Sequence, residues 1–407
     1  MRRNSHRPYL VPGWIALASA TALIVPLTAA APGIAAEPEP ATATAPDASG
    51  HWSKAAVGQL IQAIDGARAE GLNPADYSVA ELRQIAVDGQ GAALDTLATR
   101  SALALAHDYY FGRVTDRGNM QWMINRSADE EAQLPARLEA AVAAGKVDEF
   151  FTALLPSDER YQALKAALAD ASGADRDRLR VNMERWRWMP RSIATNYLYV
   201  NVPSYQLKVV QDGVQLSSYD VVVGARSTPT PQMVSPTGSL VVNPSWYVPR
   251  SIVKTSRLRP GRGGYIFKAN AGGGYSVIQP PGPRNALGKI KFNLDNDQAI
   301  YLHDTNTKSA FARSERALSH GCVRVKDIDR LAAELMSNGG DDGSLDEALA
   351  RSRTATLRLP QTWPVYIVYF TADADEAGGI VTYGDPYGYD AKILAGLNGK
   401  PVQMASN

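Results

Sequence analysis

The strongest constraint on this chain is a single change of hydrophobic period near Arg180. Upstream, Val57, Leu60, Ile61 and Ile64 fall at i, i+3, i+4 and i+7, the stripe of an amphipathic helix. Ser78-Val-Ala-Glu81 reads as a capping box opening the next helix, with Leu82, Ile85 and Ala86 on its buried face. Leu94 to Tyr110, Ala136 to Ala144 and Tyr161 to Ala169 continue the pattern. Downstream the period becomes two. Tyr197 to Val202 and Tyr205 to Val210 alternate, and Asp212-Gly213 turns the chain into a third strand, Val214 to Val223. Ser239 to Val242, Tyr275 to Ile278, Ala299 to His303 and Val365 to Phe370 read as further strands. Prolines and the runs Gly261–Gly264 and Gly272–Gly274 separate them, and one helix follows, about Lys326 to Met336. The expected class is α+β: an all-helical domain over 51–180, a mostly-β domain over 181–397, and a tail over 398–407.

The first fifty residues belong to neither domain. Arg2, Arg3 and Arg7 precede an uncharged stretch from Val11 to Ala31, and the small residues Gly33, Ala35 and Ala36 follow. This is the form of a secretory signal over 1–36, cleaved before Glu37. Pro26 and Pro32 interrupt the stretch and disfavour an uncleaved anchor; association with the inner membrane follows only if the segment stays. Residues 37–50 are Pro/Ala/Thr-rich and read as a linker. Removing three Arg and no acids takes the formal charge from +1 to −2. Such a balance gives no footprint for nucleic acid.

The chain has one Cys, which excludes an intrachain disulfide, a four-cysteine zinc ribbon and a cysteine-held iron–sulfur cluster. That thiol sits in Ser319-His320-Gly321-Cys322-Val323-Arg324, downstream of Tyr301-Leu-His303-Asp304-Thr305-Asn306, with fifteen residues between His303 and Ser319. Two of the five His thus lie beside the only thiol. Three readings compete. Cys322 is a nucleophile with His303 as its base, the amides of His320, Gly321 and Cys322 forming an oxyanion hole. Or His303, His320, Cys322 and Asp304 bind zinc, against which stands the lack of CxxC or HxxxH spacing. Or Cys322 is a buried structural thiol, although Gly-Cys in a turn is not a core pattern. The first is favoured, with no metal and no cofactor. His51 and His107 stand alone and read as surface or packing residues.

His303 with the S-H-G-C-V-R run resembles the active-site signature of YkuD-type L,D-transpeptidases, cysteine enzymes that cross-link peptidoglycan. Asn182-Met-Glu-Arg-Trp-Arg-Trp-Met-Pro190, Val222-Val-Gly224, Pro229-Thr-Pro231, Val248-Pro-Arg-Ser-Ile252 and Pro280 to Gly288 are similar to the periplasmic YcbB-like branch, as are Gly71 to Tyr77 and Tyr387 to Ala391. The resemblance implies a helical scaffold followed by a mixed β-sandwich with a packed helix. It implies Cys322 as acylated nucleophile, His303 as base, the Asp304 carbonyl orienting the imidazole, and His320 and Gly321 shaping the turn. Arg324, Ser319, Tyr301, Trp246, Tyr247 and Asn306 are the expected substrate-binding residues. The implied partners are donor and acceptor peptidoglycan stem peptides, in the periplasm, and the typical product is a 3→3 link with release of D-alanine. Hydrolysis by the same site, and attachment of a protein to the wall, remain alternatives. The tight His–Cys window argues against a sortase-like enzyme. Two departures are visible: no wall-binding module separates the halves, and the segment from Ile252 to Pro280 is short and glycine-rich, implying a small lid. Trp186 and Trp188, between Arg185 and Arg187, are expected to pack a strand edge rather than stack on sugars. Gly261–Gly264 lacks the Gly-Lys-Ser/Thr ending of a P-loop, and Asp341, Asp342 and Glu347 read as a solvated surface.

Overall fold

The computed structural model describes residues 51–399 apart from 89, 90, 257, 272, 341 and 342. The expected signal and linker, Asp341, Asp342 and most of the tail lie outside the described residues. Among the described residues, no helix is long and apolar enough to cross a membrane.

The N-terminal part is helical: α1 (Lys54–Gly66), α2 (Val79–Asp88), α3 (Ala92–Tyr110), α4 (Ala128–Ala132), α5 (Leu134–Ala144), α6 (Val147–Leu154), α7 (Glu159–Leu168) and α8 (Gly173–Trp188). The stripe read from α1 is its buried face: Ala56, Val57, Leu60 and Ile64 are almost fully enclosed. They meet Leu97, Ala98, Ala102 and Leu105 of α3 in one core, each large side chain contributing about 1.5–3 kcal/mol. Ser53 Oγ caps α1 by accepting from the Ala56 amide at 3.1 Å. Gly145, at φ +68°, ends α5. Ser78 differs from its expected role. At φ +54° it closes the preceding 3₁₀ turn, not the extended conformation of an N-cap.

Helix α8 carries the Trp-rich motif, which was expected to pack a strand edge. The motif is helical and buried, Trp186 clustering with Tyr199, Tyr366 and Val368 of the strands, and its charges are paired inside. Glu184 and Arg187 are both 0% exposed and paired at 2.9 Å. Arg185 reaches Asp390 at 2.7 Å, and the Asn182 side-chain amide donates to Thr371 Oγ1 at 2.9 Å. Glu184, Arg185, Arg187 and Asn182 each take a partner into the interior, so the helix is buried all round from Val181 to Trp188 with its charges paired. Trp186 lies against Phe370 and Trp188 against Trp122.

The C-terminal part contains β1 (Tyr197–Asn201), β2 (Gln206–Gln211), β3 (Val214–Gly224), β4 (Met233–Val242), β5 (Trp246–Tyr247), α9 (Arg250–Thr255), β6 (Ile266–Ala269), β7 (Tyr275–Gln279), β8 (Ile290–Phe292), β9 (Leu302–His303), β10 (Ala317–Ser319), β11 (Val323–Val325), α10 (Ile328–Ser337), α11 (Ser344–Ala350), β12 (Ala355–Val368), β13 (Ala372–Ala374), β14 (Ile380–Thr382) and α12 (Asp390–Asn398). Nine strands run in the order β10-β3-β11-β9-β8-β4-β12-β1-β2, and β2 also pairs with β3, so this mixed sheet closes on itself. Leu198, Val200, Leu207, Val323 and Ile367 are fully buried in its core, joined by Leu331 and Leu335 of α10. Beyond the helix expected at about Lys326 to Met336, the described residues of this part also form α9, α11 and α12.

The lid segment is itself a small antiparallel sheet, β5-β7-β6. The helical and β parts pack broadly on one another, with α7 and α8 against β13 and Trp186 among Tyr199, Tyr366 and Val368. Gln232 exchanges backbone hydrogen bonds with Gln121 and Met123, both at 2.8 Å. Helix α12 packs on α8, where Arg180 also donates to Asn398 Oδ1 at 3.0 Å.

Candidate active site

Register across three short strands builds the floor of the site. Lys291 of β8 pairs with His303 of β9, and His303 pairs with Arg324 of β11. Side chains at one rung share a face, so Lys291, His303 and Arg324 form a row. Their neighbours Phe292, Leu302 and Val323 point the other way and are 0% exposed. Cys322 directly precedes β11 and Tyr301 directly precedes β9, and the Val323 amide donates to Tyr301 O at 3.1 Å. The Tyr301 ring meets the His303 ring edge to face at 5.3 Å and lies under Lys291 Nζ at 4.4 Å.

The nucleophile turn is held from below. Gly321 sits at φ +117°, a region side chains rarely adopt, and an added Cβ would meet Ile300 Cδ1 at 3.3 Å. Its amide donates to Ser319 Oγ at 3.1 Å, and that hydroxyl donates to Cys322 O at 2.6 Å. Thr230 Oγ1 donates to Gly321 O at 2.6 Å and accepts from the Gly224 amide at 2.8 Å. The Tyr387 hydroxyl donates to Gly224 O at 2.7 Å and accepts from the Thr230 amide at 3.1 Å. The Gly321 amide is therefore committed to Ser319, which leaves the His320 and Cys322 amides of the three expected in an oxyanion hole.

Burial dominates the charges here. Desolvation pushes the Cys322 thiol up, against the Tyr301 hydrogen bonds and the Lys291 and Arg324 charges, which favour the thiolate. Desolvation and the Arg324 charge bring His303 down to about 3. The Asp304 backbone acts on that ring in the direction of a hydrogen bond, but the contact falls short of hydrogen-bond geometry and Nδ1 is buried without a partner. Desolvation thus holds both the thiol and the imidazole toward their neutral forms. Among the described residues no hydrogen bond joins them; Cys322 Sγ donates weakly to Ala299 O at 3.5 Å. Burial and the Cys322 charge raise the Tyr301 hydroxyl, keeping it a donor, with Trp246 acting in the opposite sense.

Five of the expected residues, Cys322, His303, Tyr301, Arg324 and Trp246, thus converge. Others are occupied elsewhere. Tyr247 is 71% exposed. Asn306 donates to Arg284 O at 2.9 Å, His320 is exposed, and the Ser319 hydroxyl is spent within the turn. The Asp304 carboxylate accepts from the Lys289 amide at 2.9 Å and pairs with Lys308. Lys291 was not foreseen; its place depends on strand register, which leaves no local mark in the sequence. Among the described residues, no group of three His, Cys, Asp or Glu is placed to hold a metal ion.

Residues 195–367 match the family described as the L,D-transpeptidase catalytic domain, and residues 47–168 match a scaffold domain. A Haemophilus influenzae protein assigned as an L,D-transpeptidase is 30% identical over 387 residues, covering 85% of this chain and 77% of that protein. The chain belongs to the L,D-transpeptidase family. Its helical part is the scaffold of that architecture and its β-rich part the YkuD catalytic domain. Solved L,D-transpeptidases are also similar over 43% of the chain. That of Mycobacterium smegmatis has 12% identity, 58% of its own length covered and a TM-score of 0.25. The ertapenem-acylated catalytic domain from Enterococcus faecium has 14% identity, 98% covered and a TM-score of 0.22.

Proposed function

We propose that this L,D-transpeptidase joins peptidoglycan stem peptides through a thioester on Cys322. The observation that carries this reading is the convergence of a half-buried thiol, a buried neutral imidazole and a hydroxyl donor beneath two cations. Cys322 Sγ attacks the carbonyl at the L-centre of the third stem residue while its proton passes to His303. The developing oxyanion meets the His320 and Cys322 amides. His303 then returns the proton to the nitrogen of the terminal D-alanine, the C–N bond breaks, and D-alanine leaves. The amine of a second stem attacks the thioester, gives its proton to His303, and releases Cys322 as the thiol with a 3→3 link formed. Tyr301, Lys291 and Arg324 stabilise negative charge on sulfur during transfer. Ser319 and Gly321 set the turn, Asp304 fixes the end of β9, and Trp246 lines the approach. This reading sets the chemistry in the periplasm, in keeping with the export signal read at 1–36.

The test uses purified disaccharide–tetrapeptide with mass-spectrometric detection of products. Wild type is expected to release D-alanine and form a dimer linked between third residues. Persistence of either product in Cys322→Ala refutes the nucleophile assignment. Free tripeptide without dimer would make water the acceptor.

A further inference from the structure

Residues 221–294, which run from β3 to the end of β8 and include the lid, carry ten basic residues and no acidic one. At the chain's overall frequency, 41 acids in 407, a stretch of this length would hold about seven. The remainder of the chain is correspondingly acidic, so the near-neutral total conceals two opposed regions. Among the described residues, Arg226, Arg250, Lys254, Arg259, Arg262, Lys268, Arg284, Lys289 and Lys291 form no ion pair, whereas neighbouring cations do: Arg316 and Lys326 share Asp220, and Lys308 holds Asp304. Of the lid cations, Arg250, Lys254, Arg259, Arg262 and Lys268 are exposed. The field is therefore uncompensated and open to a ligand.

It is also continuous with the thiol. Strand β5 brings Trp246 to Tyr301, β7 joins β5 to β6, and Gln279 of β7 ties Gly263 and Arg284 together by donating to their carbonyls at 2.7 and 2.6 Å. Lys291 and Arg324 extend the same sign to Cys322 itself. Exposed Tyr247, Ile266 and Tyr275 stand among the cations. A membrane surface would also be met by such residues, but a field that runs unbroken into the catalytic cleft fits the molecule that enters the cleft.

We infer that the lid is an electrostatic selector that recruits donor stems by their free carboxylates and discriminates against stems whose side carboxylates are amidated. This rests on the acyl-transfer reading above and adds a substrate preference to it. The donor ends in a carboxylate in any case; amidation of its side groups removes the charges that distinguish one stem from another.

The experiment compares two tetrapeptide stems, one with free side carboxylates and one with carboxamides, on the full chain. D-alanine release is followed between about 20 and 300 mM salt, across which the screening length falls from about 20 Å to about 6 Å. The expected result is a loss of about tenfold in kcat/KM with salt for the free stem, carried by KM, and a markedly smaller salt dependence for the amidated one. Lys254→Gln/Arg262→Gln/Lys268→Gln is expected to lose most of the preference, and Lys254→Arg/Lys268→Arg to retain it. Binding of both peptides to Cys322→Ala reads the preference without turnover. Equal rates and equal salt dependence for the two stems, with D-alanine still released, overturn the inference. So does tight binding to phosphatidylglycerol vesicles combined with unchanged stem preference in the triple variant. If neither stem is processed while the free stem still binds Cys322→Ala preferentially, the acyl-transfer reading fails and the selector stands.

Discussion

Gly288 bears most directly on the base. It lies at φ +62°, and a Cβ there would come within 2.1 Å of Asp304 Oδ2, 2.3 Å of Cγ and 2.4 Å of Cβ. Asp304 has little room to withdraw. It is 6% exposed, its carboxylate accepts the Lys289 amide at 2.9 Å, and it follows His303 directly in the chain. For Gly288→Ala, left-handed strain costs about 1 kcal/mol, overpacking about 1–3 kcal/mol, and loss of the Lys289 hydrogen bond about 1 kcal/mol. The expected destabilisation is therefore about 3–5 kcal/mol. Urea midpoints measure it, and the rate of carbapenem adduct formation, read by mass, reports whether displaced Asp304 drags His303 from place. Asp304→Gly removes all three obstructing atoms. The double variant should then be destabilised by less than the sum of the singles, with coupling of about 1 kcal/mol or more. A Gly288→Ala protein within about 1 kcal/mol of wild type, or strict additivity with Asp304→Gly, would show that the close approach does not govern this corner.

Thr230→Val removes both the donor to Gly321 O and the acceptor for the Gly224 amide; a loss of about 2–3 kcal/mol with a larger proportional drop in acylation rate is expected from paired melting and adduct kinetics. Glu184→Ala leaves Arg187 charged and enclosed, and a melt should report about 3–5 kcal/mol of destabilisation. The pH profile follows from the shifts. A base must be unprotonated, and the His303 pKa is lowered to about 3, so kcat/KM should show no acid limb near 6.5, the ordinary imidazole value. The thiol is raised, so alkylation by iodoacetamide should titrate above about 8.5. An alkylation pKa below that value would mean that the neighbouring charges, rather than burial, set the thiol.

The division into helical and β parts was legible because the stripes of α1 and α3 and the alternation of β1 to β3 are set by burial on one face. What escaped was hidden by paired polarity or by register. Helix α8 reads as polar because Glu184, Arg185 and Arg187 are charged, yet each is buried with a partner distant in sequence or one turn away. Only the last residues of β12 were apparent, since Pro360 and Pro364 argue against a central strand. Pro364 faces Pro236 of β4 across the ladder, so both missing donors fall on one rung. Within the site, residues adjacent to the thiol and the base could be named from the chain alone. Lys291 and Thr230 reach the site through strand pairing and a buried turn.

The Tyr387 hydroxyl is the outermost support of the nucleophile turn, and it lies 163 positions beyond the carbonyl it holds. Synthesis delivers Cys322 well before this tyrosine. A nascent chain therefore carries its thiol on a turn whose brace has yet to arrive, and competence is acquired in a late assembly step, when the segment leading into α12 docks. A chain interrupted between α10 and Tyr387 would retain every catalytic group while lacking the contact that steadies them.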